Sequence, residues 1–338
     1  MYACFGALFP EVESFLRTCM KELFPNIQAP RLALAAGLVF SMLGTAPGLL
    51  TRIQHRCRWT ATRFLCGRFV RPRNTGPLIS FTFDDFPQSA LLRGGAILKS
   101  FGATGTYYAS LGFIGRDMGE HKGDHMPVGK MFSHKDLGHL LAEGHELGCH
   151  TFGHCHSWST SPAAFEQSIL ENMSALHRIS DGASFRTFSY PVSGPRPETK
   201  KRVARHFMCC RGGEQGFNAG RTDLNYLNAY FLRDGAADSE AIKALIDQNC
   251  RQKGWLIFAT HDVSPSPTAF GCNPHVFEEI VRYALASGSS ILPVAEACEL
   301  FVTGRPQKDQ FTPLPEHTSR CSSRAIRQPS ARPSVSRF

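Results

Sequence analysis

Four absences narrow what this 338-residue sequence can be. Its 12 cysteines include no C-x-x-C, and Cys209–Cys210 is the only close pair. A secreted disulfide framework is not expected from such scattered cysteines; reduced thiols in a cytoplasm, several packed as small hydrophobes, are. No G-x-G-x-x-G follows the first strand-like run, so the usual signal for a dinucleotide is missing. No apolar run reaches the ~20 residues of a spanning helix. The longest, Leu32 to Ala46, has 15 residues and is closed by Pro47. It starts too late for an ordinary signal peptide, and no basic segment precedes it. Basic charge is missing from the middle of the chain: residues 76–302 carry a net −3, against +7 for 1–75 and +5 for 303–338. A nucleic-acid enzyme places its basic stripe on the folded domain, so no nucleic-acid partner is expected.

These boundaries suggest three parts. Residues 1–75 form a basic and apolar segment, read as helical and packed or interfacial, with a weak membrane anchor as the alternative. Residues 76–302 form the main folded domain. Residues 303–338, rich in Ser, Arg and Pro without periodicity, read as a disordered basic tail. The expected location is the cytoplasm, with membrane association through the N-terminal segment as the variant.

From Leu78 onward, strand-like and helix-like runs alternate about seven times. LISFTF (78–83), TGTYYAS (104–110), HELGC (145–149), FRTFSY (185–190), FMCC (207–210), WLIFAT (255–260) and SILPV (290–294) read as strands, with 226–232 as a further candidate. Between them lie helices over 88–101, after the Ser133/Asp136 capping box, from Ser161-Pro162, over 197–206, from Asp238 to about Gln252, and over 274–286. Alternation of this kind implies parallel strands joined by crossover helices. The number of units favours a closed or nearly closed (β/α) barrel, with a doubly wound sheet as runner-up.

In such folds the chemistry sits at the C-terminal ends of the strands. Asp84 and Asp85 follow the first strand, His150 and His154 follow HELGC, Pro191 to Gly194 follow FRTFSY, and His261 and Asp262 follow WLIFAT. Two histidines four apart suit convergence on one cation, and Asp85 could add a carboxylate. His145-Glu146…His150 is spaced HExxxH and lies on a strand, so it is not the helical zinc-peptidase pattern; His145 and Glu146 read as structural. Cys155 and His156 are weaker ligand candidates, and His121, Asp124 and His125 are candidates for a substrate rim.

These residues, in this order, resemble the polysaccharide deacetylases, the NodB-homology family of carbohydrate esterases. TFDD (82–85), HTFGH (150–154), FSYPVSG (188–194) and ATHD (259–262) are similar to four of its motifs. The resemblance covers roughly 78–300. It implies a distorted (β/α) barrel of about seven parallel strands, and a metal-dependent hydrolase that removes acetyl from N-acetylglucosamine oligomers or polysaccharides of the chitooligosaccharide kind. It also implies one divalent metal held by Asp85, His150 and His154, with zinc first and cobalt, nickel or manganese as alternatives. By position, Asp84 would be the base, His261 the general acid and the Val192 backbone N–H the oxyanion donor. The alternatives are a deformylase or deacetylase of a lipid-linked amino sugar, and a non-catalytic sugar-binding barrel. The sequence departs from the family at Phe86 (usually glycine), at Ser189 (often the arginine that orients the base) and at Ala259 (usually leucine). Arg186 and Arg211 are both candidates to supply the missing guanidinium. No Asp-Trp motif is present, and Asp223 is a candidate partner for His261.

Overall fold

The computed structural model describes residues 58–119, 127–192, 194–233 and 239–305. The apolar run 32–46, the loop residues His121, Asp124 and His125, the cap Asp238 and the basic tail beyond 305 lie outside the described residues. A two-residue strand, β1 (Phe69–Val70), precedes the main sheet. That sheet contains β2 (Leu78–Phe83), β3 (Thr106–Ala109), β4 (Glu146–Cys149), β5 (Thr187–Ser189), β6 (Cys209–Arg211), β8 (Tyr230–Phe231), β9 (Trp255–Thr260) and β10 (Ser290–Ile291). Seven of them run in the spatial order β6-β5-β4-β3-β2-β9-β8, and β10 pairs with the start of β2. Every pairing in this sheet is parallel. β7 (Thr222–Asp223) pairs antiparallel with β1.

One segment draws the two sheet edges together. Residues 224–227 exchange backbone hydrogen bonds with Cys210 of β6, and Gly212 N–H donates to Leu227 O. Five residues later Leu232 N–H donates to Ala259 O of β9. The sheet therefore curls into a nearly closed barrel, as the alternating pattern implied.

β2 and β9 are buried along their whole length, which is why both read as unbroken apolar runs. Their side chains alternate between two cores. Ile79, Phe81, Phe83, Leu256 and Phe258 face the helical layer and pack with Phe277 of the helix Pro274–Ala286. Leu78, Trp255, Ile257 and Ala259 share the second core with Cys209, Leu227 and Phe301 of the helix Val294–Thr303. Between these strands Trp255 Nε1–H donates to Ser80 Oγ, and Thr82 Oγ1–H to Phe258 O.

Residues 58–75 also pack on the barrel. Residues 58–64 are helical and bury Ala61 and Thr62. Thr62 donates to Pro195 O at 2.7 Å and accepts from the buried Lys200 Nζ at 2.7 Å. Gly194 is required here, because a Cβ would lie 2.8 Å from Thr62 Cγ2 and 2.5 Å from Tyr226 Oη. No helix among the described residues is long and apolar enough to cross a membrane.

The helices begin where their caps say. Ser133 and Asp136 form the reciprocal capping box of His134–Ala142, and Gly144 follows it at φ +78°. Ser161 caps Pro162–Ile179. The helix expected over 88–101 starts as a wider π turn, Ala90–Gly95, and continues as α-helix through Ser100. That change of pitch buries Leu91 and leaves Leu92 exposed.

Candidate active site

The six-residue register between β2 and β9 ends at Phe83 opposite Thr260. The next residues of each strand, Asp84 and His261, therefore emerge at the same rim. Asp84 keeps the ladder for one more step, its N–H donating to Thr260 O. Then the chain turns sharply. Asp85 and Phe86 both adopt the left-handed conformation, at φ +61° and +53°. Thr151 and His154 in the second motif and Val192 after β5 do so as well, at +61°, +55° and +67°. Each such residue costs roughly 1–3 kcal/mol, which persists only where surrounding structure holds it. Four of the seven described non-glycine residues with positive φ thus lie in the motifs and a fifth, Phe86, directly follows one, a concentration that marks a functional site.

Phe86 stands where the family usually has glycine, and its surroundings explain how it is held. The side chain is fully buried. It stacks on Phe132 at 4.6 Å and 5°, and meets Tyr107 at a tilt of 53°, 5.0 Å away. Burial of a Phe side chain offsets a left-handed backbone cost of about 1–2 kcal/mol. Phe86→Gly should relieve that strain but open a cavity of phenyl size, for a net loss of about 2 kcal/mol by chemical denaturation. An unchanged midpoint would show that the ring contributes no more than the backbone strain it offsets.

Asp85, His150 and His154 converge. Their ligand atoms lie within 4.8 Å of one another, the one such cluster among the described residues. Asp85 Oδ1 is 3.5 Å from His150 Nε2 and 3.2 Å from His154 Nε2. His150 Nδ1 is 2.8 Å from Ser189 O, so that nitrogen carries the proton and Nε2 presents a lone pair. Burial, ahead of the opposing pull of Asp84, holds the His150 imidazole down at about 4, so it is neutral near pH 7. Asp85 Oδ1 and His154 Nδ1 are buried without a hydrogen-bond partner. The Asp85 carboxylate thus faces the lone pair of neutral His150 with no proton between them, a repulsion that a cation placed there would relieve. This donor set fits a divalent metal.

Asp84 is outside that cluster and has its own partner. Arg211, itself fully buried, donates from Nη2 to Asp84 Oδ1 and, at 2.6 Å, to Ser189 Oγ. Burial pushes the Asp84 carboxyl up, but Arg211, His150 and His261 together pull it down to about 2. Asp84 is therefore ionised at any working pH.

Of the two arginine candidates, Arg211 reaches the acid and Arg186 does not. Arg186 precedes β5 and pairs with Glu299 at the surface. Arg211 ends β6, in register with Ser189. The guanidinium has moved one strand over and crosses the small serine to reach Asp84. Position in the strand was the available signal, because only Arg211 lies at a C-terminal end.

His261 is partly exposed, with Nδ1 3.6 Å from Asp85 Oδ2. Its ring stacks on Phe270 at 5.1 Å, and the His261 backbone N–H donates to Phe270 O at 3.0 Å. The loop carrying Phe270 is held by Asp262, which accepts from Thr268 Oγ1 at 2.5 Å and from Thr268 N–H at 3.1 Å. Neither Phe270 nor Asp262 was singled out from sequence as a support for His261. Asp223, the candidate partner, is not brought there. Its carboxylate accepts from Arg68 N–H and pairs with Lys200 at 2.6 Å. Val192 lies on the loop after β5, 38% exposed.

The remaining described candidates make local contacts outside the cluster. His145 Nδ1 accepts from Gly105 N–H, and Glu146 accepts from Thr106 and Thr187. Cys155 Sγ–H donates to Ser168, and His156 Nδ1 lies 2.8 Å from Ser159 Oγ.

Comparison with known proteins agrees with the motifs. Residues 71–208 match the family model described as polysaccharide deacetylase. That span contains Asp84, Asp85, His150, His154 and Val192, and ends before Arg211 and His261. Among curated proteins, a gellan lyase from Bacillus sp. is 25% identical over 146 residues, 38% of this chain and 6% of the lyase. The chain thus spans a small fraction of the length of that relative. Among solved structures, the Xyl-CE4 domain of a multidomain xylanase from the hindgut metagenome of Trinervitermes trinervoides is 17% identical, with 70% of this chain and 96% of that one covered, at a TM-score of 0.46. A family 4 acetyl xylan esterase from Clostridium thermocellum, in complex with cobalt, is 18% identical with 66% and 91% covered, also at 0.46. Likenesses that loose say nothing about substrate. Over residues 71–208, with the motifs that span encloses, the chain is similar to the polysaccharide deacetylase family.

Proposed function

We propose that this chain is a metal-dependent carbohydrate N-deacetylase, with residues 76–302 as its catalytic domain. It hydrolyses the acetamido group of N-acetylglucosamine-containing oligo- or polysaccharides and releases acetate. The observation that carries the reading is the separation of the two acids. Asp85 joins the two histidines, while its neighbour Asp84 is kept out of that set by Arg211 and stays charged. A binding module would need no second carboxylate and no His261.

Asp85, His150 and His154 would hold a divalent cation, with zinc first and cobalt, nickel or manganese as alternatives. When bound, such an ion makes water acidic enough to attack near neutral pH and polarises a carbonyl. Asp84 accepts a proton from the attacking water as its oxygen bonds to the acetyl carbon. The Val192 N–H donates to the oxygen that becomes negative. His261 gives its proton to the leaving nitrogen as the C–N bond breaks, a role typically worth about 10²–10⁴ in rate. Acetate and a free amino sugar result. Phe270 limits the orientations open to the His261 ring, and Arg211 those open to Asp84.

The test is acetate release from acetylated chitooligosaccharides by the full chain, with and without a chelator, beside Asp84→Asn. Release that needs metal and fails in Asp84→Asn is expected. No metal-dependent acetate from any acetylated sugar would end this reading. The second reading, hydrolysis of an amide on a lipid-linked amino sugar at a cytoplasmic membrane, is favoured by the basic and apolar character of residues 1–75. A formamido or acetamido sugar on a lipid phosphate, in the same assay, separates the two.

A further inference from the structure

The helix at residues 58–64 presents an outer face that a soluble surface does not require. Ala61 and Thr62 are buried against the barrel, while Arg58, Trp59, Thr60, Arg63 and Phe64 are exposed. Trp59 is 37% exposed and Phe64 59%. The Arg63 guanidinium lies 5.0 Å from the Trp59 ring centre and 5.9 Å from that of Phe64. Exposed rings interleaved with arginine suit the boundary between water and lipid, where the ring body is buried and the charge stays wet.

Charge points the same way. Between Leu23 and Phe83 the sequence has eight arginines, no lysine and no acid. Neither Arg58 nor Arg63 makes an ion pair among the described residues. The 15-residue apolar run lies in this same acid-free stretch, closed by Pro47 just before the first arginine that leads into the helix. A basic segment flanked by apolar residues is attracted to an anionic bilayer surface, by about the same increment for each arginine.

The patch is also tied to the catalytic rim. Arg58 lies 4.7 Å from the Trp158 ring, in the segment that follows the second histidine motif. Trp158 Nε1–H donates to Gly194 O, and Thr62 donates to Pro195 O, both just beyond Val192. The helix therefore leans on the two loops that carry His154 and Val192.

We propose that Arg58, Trp59, Arg63 and Phe64 form a docking surface for an anionic membrane, which seats the rim of the barrel against the lipid headgroups. The docking stands on the patch alone; its use in presenting a membrane-borne acetylated sugar to Asp84 rests on the function proposed above.

The experiment is co-sedimentation of the full chain with vesicles of phosphatidylcholine alone, and with one part phosphatidylserine to two of phosphatidylcholine. Binding to the anionic vesicles, weakened by salt, is expected. Arg58→Glu with Arg63→Glu should weaken it by more than about tenfold. In a Trp158→Phe background, Trp59 emission should shift blue on those vesicles and be quenched by brominated acyl chains; Trp255 is fully buried and stays silent. Three results would overturn the proposal. The unaltered chain could stay in solution with both vesicles. The variant Arg58→Glu, Trp59→Ala, Arg63→Glu, Phe64→Ala could bind like the unaltered chain, which would place attachment within residues 1–57. Or the charge changes could raise KM for a soluble glycan while vesicle binding is unchanged, which would make the patch part of the glycan cleft. Vesicle binding without acetate release would instead refute only the proposed activity.

Discussion

Arg211→Met should destabilise the protein by about 3–5 kcal/mol and lower acetate release by up to about 10²-fold. The reason is the burial of its partner. Asp84 is 5% exposed, and burial alone would push its carboxyl up; the guanidinium reverses that and brings it down to about 2. Without Arg211 the acid is left charged and uncompensated, or protonates and can no longer accept a proton. The same geometry gives a sharper test. Ser189 and Arg211 are register partners on β5 and β6, with Ser189 Oγ 2.6 Å from the guanidinium. Exchanging them, Ser189→Arg with Arg211→Ser, should return a large part of both the denaturation midpoint and the activity. Arg211→Lys should not, because one ammonium lacks the planar fork that serves Asp84, Ser189 and Gly212 O together. If the exchanged pair recovers nothing, Arg211 acts through more than a charge delivered to Asp84.

That relocation marks where sequence reasoning reaches its limit. LISFTF and WLIFAT were legible because both faces of a central parallel strand are buried, and the observed β2 and β9 have those bounds. The Ser133 and Ser161 caps were legible because capping is local chemistry. The cluster of Asp85, His150 and His154 was legible as residue types at strand ends. What was not legible depends on residues far apart in the chain. Asp223 looked free to serve His261, but Lys200 and Arg68 hold it, from 23 and 155 positions away. β1 and β7 are two residues each and exist through that long-range pairing, which no periodicity announces. SILPV gave only Ser290–Ile291 as strand, because Pro293 precedes a helix rather than extending the ladder. Phe86 was unexplained because its support, Phe132, lies 46 residues on.

Adding zinc to metal-stripped protein should raise its melting temperature by roughly 5–10 °C at a hundredfold excess over Kd, since about 2.7 kcal/mol of binding enters the folded state. Cobalt, nickel and manganese, tried in turn, rank the cation. Asp85→Asn should abolish the shift, and His150→Ala and His154→Ala likewise. Asn tolerates the left-handed backbone of Asp85, so this change leaves the turn in place and tests the ligand. It also replaces a charge facing the His150 lone pair by an amide that can donate to it. In the absence of metal, then, Asp85→Asn should be as stable as the unaltered protein or more so, although activity is lost. Asp84→Asn should behave in the opposite way: it keeps the metal shift, because Asp84 is bound to Arg211 and lies outside the ligand cluster, and yet it should lose acetate release. A metal shift that survives in Asp85→Asn and fails in Asp84→Asn would exchange the roles of the two adjacent acids. The positive φ at Asp85 argues against that exchange. Asp84 is still in the β2 ladder and points to Arg211, and only after the chain swings left-handed does the next carboxylate meet the histidines.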